Sequence, residues 1–193
     1  MNALRVMLID ENRGRAAILE QALIDAGCQV VVRLDKPGDL LKKVQELEPD
    51  VILIDVDSPD RDTLENLYWL DRNHPRPIVM FAADAASDTI GAAVRAGVSA
   101  YVVDGLQPQR VRPIIEVAIA RFREFQALRQ ELEATRNKLA ERKLIEKAKG
   151  LLMQQKSYSE EEAYQALRKL SMDRNLRLAE VAQNVISVLE LLE

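Results

Sequence analysis

The chain has 193 residues, 48% of them hydrophobic and 30% charged, with a formal net charge of −4. Those values describe a chain that folds around a core, with room for one ordinary domain and a small one. No apolar run approaches the roughly 18–20 residues that a membrane span needs, no signal peptide opens the chain, and Cys28 has no second cysteine to pair with. A membrane protein and a disulfide scaffold are therefore excluded, and a reducing cytoplasm is expected.

The charge is unevenly spread. Residues 1–105 carry 11 Lys and Arg against 18 Asp and Glu, a balance of −7, whereas residues 106–193 carry 16 against 13, a balance of +3. A phosphate-binding surface is expected only in the second part.

Strand and helix signals alternate from the start. Leu4–Ile9 is a short apolar run ending in Asp10 and Glu11, and an amphipathic helix follows through Ala17, Leu19, Leu23 and Ala26, closed by Gly27. Gln29–Val32 reads as a strand, Leu40–Leu47 as a helix, and Val51–Ile54 as a strand apolar on both faces, ending at Asp55. A helix through Leu64, Leu67 and Leu70 leads to strand Ile78–Phe81. A helix with Ile90, Ala93 and Val94 ends at Gly97, before strand Ala100–Val103. Five βα units of this size define an α/β, flavodoxin-like, doubly wound parallel sheet of five strands.

Function in such sheets sits beyond the carboxyl ends of the strands, where Asp10, Glu11 and Asp55 arrive together. Clustered carboxylates attract a hard cation, so a weak Mg²⁺ site at Asp10, Glu11 and Asp55 is the one metal expectation, and no other cofactor is expected. The pattern resembles the CheY-like receiver domain of response regulators. That resemblance implies that Asp55 is the phosphoacceptor equivalent and that Asp10 and Glu11 are the acidic metal-binding pair. It also places Ala82 where receivers carry a Ser or Thr, and Asp104 where they carry a Lys. Ala82 has no donor and Asp104 reverses the charge, so an incoming phosphoryl group loses charge-assisted bonds of roughly 1.5–3 kcal/mol each. A pseudo-receiver, with an inactive Asp55, is the expectation.

Other features carry plainer readings. Asp57, Asp60 and Asp62 form either a polar loop capping the next helix or a docking edge for a partner. His74 reads as a surface residue, and Trp69 as partly buried or as an interface anchor.

Beyond Pro108 the character changes. After Pro113 the chain has no further proline, and from there it has no glycine before Gly150, so one long helix is expected from about Val111 to about Gln154. Ile115, Ala118, Phe122, Phe125, Leu128, Leu132 and Leu139 are its apolar positions. From Phe125 the steps are 3, 4 and 7 residues, the seam of a two-stranded coiled coil. A homodimer through that seam is expected, against a helix packed along its own domain.

The last segment reads as a three-helix bundle. Its stripes are Leu144, Ala148, Leu151 and Leu152; then Ala163, Ala166, Leu167 and Leu170; then Leu178, Val181, Ala182, Val185, Ile186 and Leu189. Ser159 and Glu162 form a capping box ahead of the middle helix. Arg142, Ile145, the run Ala148–Met153, Ser159, Glu162–Tyr164, Leu167–Arg168, Met172, Leu178 and Val181–Ala182 resemble the ANTAR output domain of bacterial antiterminators, with Ser171 where that family more often has alanine. The resemblance implies RNA binding. The cations Arg142, Lys143, Lys147, Lys149, Arg168, Lys169 and Arg174 are the candidate phosphate contacts, and Tyr158 or Tyr164 either stacks on a base or joins the core.

The expected organisation is a pseudo-receiver over 1–122, a coiled-coil linker over 123–141 and an ANTAR domain over 142–193. This order resembles the AmiR/NasT antiterminator family, and the loop Asp55–Asp62, the strand Arg76–Phe81 and the segment Gly97–Tyr101 resemble its nitrate- and nitrite-responsive NasT type. What that implies is a non-enzymatic, two-component-like regulator that binds paired hairpin loops of leader mRNA. It would permit read-through into nitrate and nitrite assimilation genes under a NasS-like sensor protein. The alternative is a phosphorylation-responsive regulator with a DNA-binding or protein-interaction output. Against DNA reading, the third bundle helix, from Leu178, carries no cation of its own.

Overall fold

The computed structural model describes residues 3–103 and 107–190. Five parallel strands, β1 (Leu4–Asp10), β2 (Cys28–Leu34), β3 (Val51–Val56), β4 (Ile78–Ala82) and β5 (Ala100–Val103), form one sheet in the order β2-β1-β3-β4-β5. Between them run α1 (Arg13–Asp25), α2 (Leu40–Leu47), α3 (Arg61–Asn73) and α4 (Ser87–Arg95). The reversal of strand order beside β1 opens a crevice between β1 and β3, the binding position of doubly wound sheets.

Alternation along each strand divides the core into two layers. Met7, Ile9, Ile52, Ile54, Ile78 and Met80 pack with Leu40, Val44, Leu67, Leu70 and Ala93 of α2, α3 and α4. Val6, Leu8, Val51, Leu53, Val79 and Phe81 face the other way, onto α1 and the start of the next helix through Leu19, Leu23, Val111, Ile115 and Ala118. The apolar strands are continuous because both faces are covered.

Strand and helix ends depart modestly from expectation. β2 runs from Cys28 to Leu34 and β3 carries Asp55 inside the strand, because ladder pairing to β1 continues through Asp10 and Asp55. The buried stripe of α1 is Ala16, Leu19, Ala22 and Leu23, and Ala17 is exposed: a helix rotates 100° per residue, and the sheet selects the face with both leucines. Gly97 has a φ of +98°, and a Cβ there would stand 2.7 Å from Asp71 Cβ, so only glycine suits the turn into β5.

The long helix, α5, runs from Pro108 to Lys156. It begins earlier than the sequence suggests because Pro108 is favourable at a first helical position. Pro113 lies inside it, near enough to the start that one backbone bond is lost. Two compact units divide within α5, Met1–Gln126 and Ala127–Glu193.

In the second unit α6 (Glu160–Arg174) and α7 (Leu178–Glu190) join the end of α5. Ala148, Leu167, Val181, Ala182 and Ile186 are its buried centre, with Leu144, Leu151, Leu152, Leu170, Leu178 and Val185 packed around it. The capping box forms as the spacing predicts: Glu162 N donates to Ser159 Oγ at 3.3 Å, and Ser159 N donates to Glu162 Oε2 at 2.8 Å. Asn175, with a φ of +51°, closes α6 in the left-handed conformation that asparagine tolerates.

Candidate functional sites: an acidic crevice and a cationic bundle

Residue parity carries Asp10 and Asp55 onto the α1 face of the sheet, and the β1–β3 register sets them directly opposite each other. Asp10 is fully buried and Asp55 nearly so. Asp10 Oδ1 accepts the Asn12 N–H at 2.7 Å, while Oδ2 has no partner. Burial pushes both carboxyls above the usual aspartate range, opposed at Asp10 by that amide and at both by Arg15.

Arg15 was not among the sequence-selected residues. It stands in the first turn of α1, which Asn12 caps by accepting from the Gly14 and Arg15 amides. From there Nη1 lies 2.9 Å from Asp57 Oδ1 and Nη2 lies 3.9 Å from Asp10 Oδ1. Nothing local announces this, because Arg15 and Asp57 are 42 residues apart.

Asp57 also anchors the loop after β4: its carbonyl accepts the Ala83 and Asp84 amides, each at 3.1 Å. Asp84 then gathers Ser58 Oγ (3.0 Å), Thr89 Oγ1 (2.9 Å) and the Ala86 amide (2.8 Å) on its carboxylate. The hydroxyl of Tyr101 donates to the Asp84 carbonyl at 2.7 Å. Donors hold the Asp84 carboxyl below its usual range, the Ala86 amide first.

The other expected residues fall as follows. Glu11 is exposed, outside the buried pair. Ala82 is buried at the end of β4, its methyl in the layer under α2, α3 and α4. Asp104 lies outside the described residues. Asp60 caps α3 by accepting the Thr63 amide, the helix-capping reading of that loop. His74 is only partly exposed and shares a 2.7 Å bond with Gln45. Trp69 is 58% exposed, more open than the partial burial expected of it, because α3 buries Leu67 and Leu70 and turns Trp69 away.

The cations of the bundle are not equivalent. Arg142, Lys143, Arg168, Lys169 and Arg174 are exposed. Lys147 is exposed but paired with Glu190. Lys149 is 8% exposed, its ammonium 2.7 Å from Glu160 and 3.0 Å from Glu146. Its candidacy as an RNA contact came from charge alone; the structure gives it to the joint between α5 and α6. Tyr158 and Tyr164 are both exposed, so neither takes the core role.

A five-stranded parallel sheet with buried carboxylates at the ends of β1 and β3 defines a receiver. The response regulator receiver domain matches residues 6–116, and the ANTAR domain matches residues 133–186. The chain belongs to the response regulator family and carries an ANTAR output domain, the RNA-binding module of antiterminators. It is 29% identical over 185 residues to the transcriptional regulatory protein PdtaR of Mycobacterium tuberculosis, covering 96% of this chain and 90% of that protein. It is 48% identical over 65 residues to the nitrate regulatory protein of Klebsiella oxytoca, a stretch that is 34% of this chain and 16% of that protein. A response regulator structure from Thermotoga maritima superposes with a TM-score of 0.55 at 18% identity, covering 61% of this chain and 98% of that one, which shows the fold. Among the described residues no helix is long and apolar enough to cross a membrane.

The resemblance to receivers implies Mg²⁺ at Asp10, Glu11 and Asp55, and the residues do not fit it. Octahedral magnesium takes oxygen ligands at about 2.0–2.1 Å. Among the described residues no group of three metal-ligating side chains is close enough to hold a metal. Glu11 faces solvent, and Arg15 already neutralises part of the crevice.

Proposed function

We propose that the protein binds paired hairpin loops of leader mRNA through its C-terminal bundle. By favouring the antiterminator fold it lets polymerase read into nitrate and nitrite assimilation genes. The observation that carries this is the set of exposed cations, Arg142, Lys143, Arg168, Lys169 and Arg174, beside exposed Tyr158 and Tyr164 in the ANTAR segment. Cations supply phosphate contacts and aromatic rings stack on splayed loop bases, the chemistry of single-stranded RNA recognition. The likeness to a nitrate regulatory protein supports the nitrate branch. In this reading 1–122 is a pseudo-receiver and 123–141 a stalk, 142–193 is the RNA module, and a NasS-like sensor in the cytoplasm holds the protein inactive.

A parallel homodimer would present two such modules at once and gain avidity. Leu128, Leu132 and Leu139, exposed by 56, 51 and 55%, are the apolar seam it would cover. Fluorescence anisotropy with leader RNA, duplex DNA of the same sequence and a scrambled RNA tests the reading. Tight, salt-dependent binding to the leader alone supports it, and equal or better binding to the duplex overturns it. Sedimentation of the wild type and of Leu128→Glu/Leu132→Glu tests the dimer, which is expected only for the wild type.

A further inference from the structure

We propose that Arg15 is the resident cation of the acidic crevice, and that its guanidinium keeps divalent metal out. Parity and register bring Asp10 and Asp55 to one buried spot on the α1 face, and Asp57 follows where the strand ends. Such a cluster demands positive charge. The fold supplies it from the first turn of α1: the Arg15 amide is tied to the Asn12 side chain at 3.1 Å, which fixes where the side chain starts. Its guanidinium then hydrogen-bonds Asp57 at 2.9 Å and stands 3.9 Å from Asp10 as an ion pair.

A metal drawing on Asp10 Oδ1 would compete with the Asn12 amide, which that oxygen already accepts, and with Arg15. It would also sit beside a fixed positive charge. Asp10 Oδ2 is buried without a hydrogen-bond partner and Asp55 stands opposite Asp10 on β3, so what opposes a hard cation here is the guanidinium charge and not a shortage of carboxylate oxygens. The same guanidinium braces the end of β1 against the loop after β3. Asp57 passes that constraint to the loop after β4 through its carbonyl bonds to Ala83 and Asp84. The crevice is thereby partly charge-compensated and cross-braced by protein groups.

The test uses the full chain, with Mg²⁺ followed by calorimetry and Mn²⁺ by water-proton relaxation. Wild type is expected to show no saturable site at millimolar metal. Arg15→Met, which keeps the stem and removes the charge, is expected to bind at least about tenfold more tightly, since a unit charge some 4 Å away acts through a partly shielded medium. Arg15→Lys, which keeps a cation, should stay near wild type. Saturable binding by wild type as tight as by Arg15→Met overturns the proposal, and so does a folded Arg15→Met that still binds no metal. Should Arg15→Met fail to fold, the wild-type titration still decides: a submillimolar Mn²⁺ site that broadens the Asn12 and Gly14 amide resonances overturns it.

Discussion

The ammonium of Lys149, on α5, lies 2.7 Å from the carboxylate of Glu160, at the first turn of α6. A second carboxylate, Glu146, closes on the same ammonium from one turn earlier on α5. A cation in that position joins two helices, whereas one on an open face is available to phosphate.

The two kinds of cation separate on substitution. Lys149→Ala is expected to lower the melting temperature of the C-terminal unit and, with it, RNA affinity. Lys143→Ala and Lys169→Ala should leave the melt unchanged. Each should weaken leader binding and reduce the slope of log K against log salt by about 0.7–0.9 if it removes one phosphate contact. Parallel melting curves and salt titrations on the three variants make the comparison.

Acid should act on the same joint. Glu160 is held below its ordinary value of 4.5, first by the hydrogen bond from Lys149, and Glu162 is lowered by the Ser159 amide. Carboxyls lowered in the fold stabilise it above their unfolded pKa, and that contribution is lost as pH falls through the folded one. Lys149 is raised above 10.5, so its contribution is full below that value and fades as pH rises past the folded one. The C-terminal unit should hold a stability plateau between these limits and weaken below about pH 4.5. In Lys149→Met the acid shoulder should shrink to the part due to Glu162, followed by circular dichroism melts against pH.

Asp55 carries the opposite sign. Burial raises its carboxyl above 3.8, so folding favours the protonated form, and that preference is lost as pH rises through the folded value. At neutral pH Asp55→Asn is expected to stabilise the first unit by roughly 0.5–2 kcal/mol. The gain should vanish below the ordinary aspartate value. Urea denaturation of both proteins at neutral and acid pH reads it out.

The capping box gives a purely local prediction. Ser159→Ala removes the acceptor for the Glu162 amide at the start of α6 and should cost about 0.5–2 kcal/mol, with Ser159→Asp close to wild type. Because the box lies at the Glu160 end of the joint, the loss should appear in the melt of the C-terminal unit and not in that of the first unit.

Much of this molecule is written in short-range pattern. Apolar runs, Gly27 and Gly97 at turns, and the Ser159–Glu162 spacing each specify a local geometry that a few neighbouring residues enforce, and strands, helices and the capping box appear where those signals lie. Asp10 and Asp55 were legible for the same reason: each follows directly on a buried apolar run. By contrast, α1 chose Ala16 over Ala17, Trp69 turned outward, and Lys149 withdrew from the cationic face. Rotation of a helix against its neighbours settles such choices, and composition does not record it.

By itself the sequence determined that an acidic α/β unit precedes a cationic helical one, because hydrophobic periodicity and net charge are properties of the chain read in order. Only the tertiary structure decided which charges answer which. Arg15 meets Asp57 across 42 residues of chain, and Lys149 meets Glu160 across a helix turn-over, because backbone packing brings distant side chains within reach. A charge brought close to a counter-charge is spent within the fold; one left facing water remains free for a ligand.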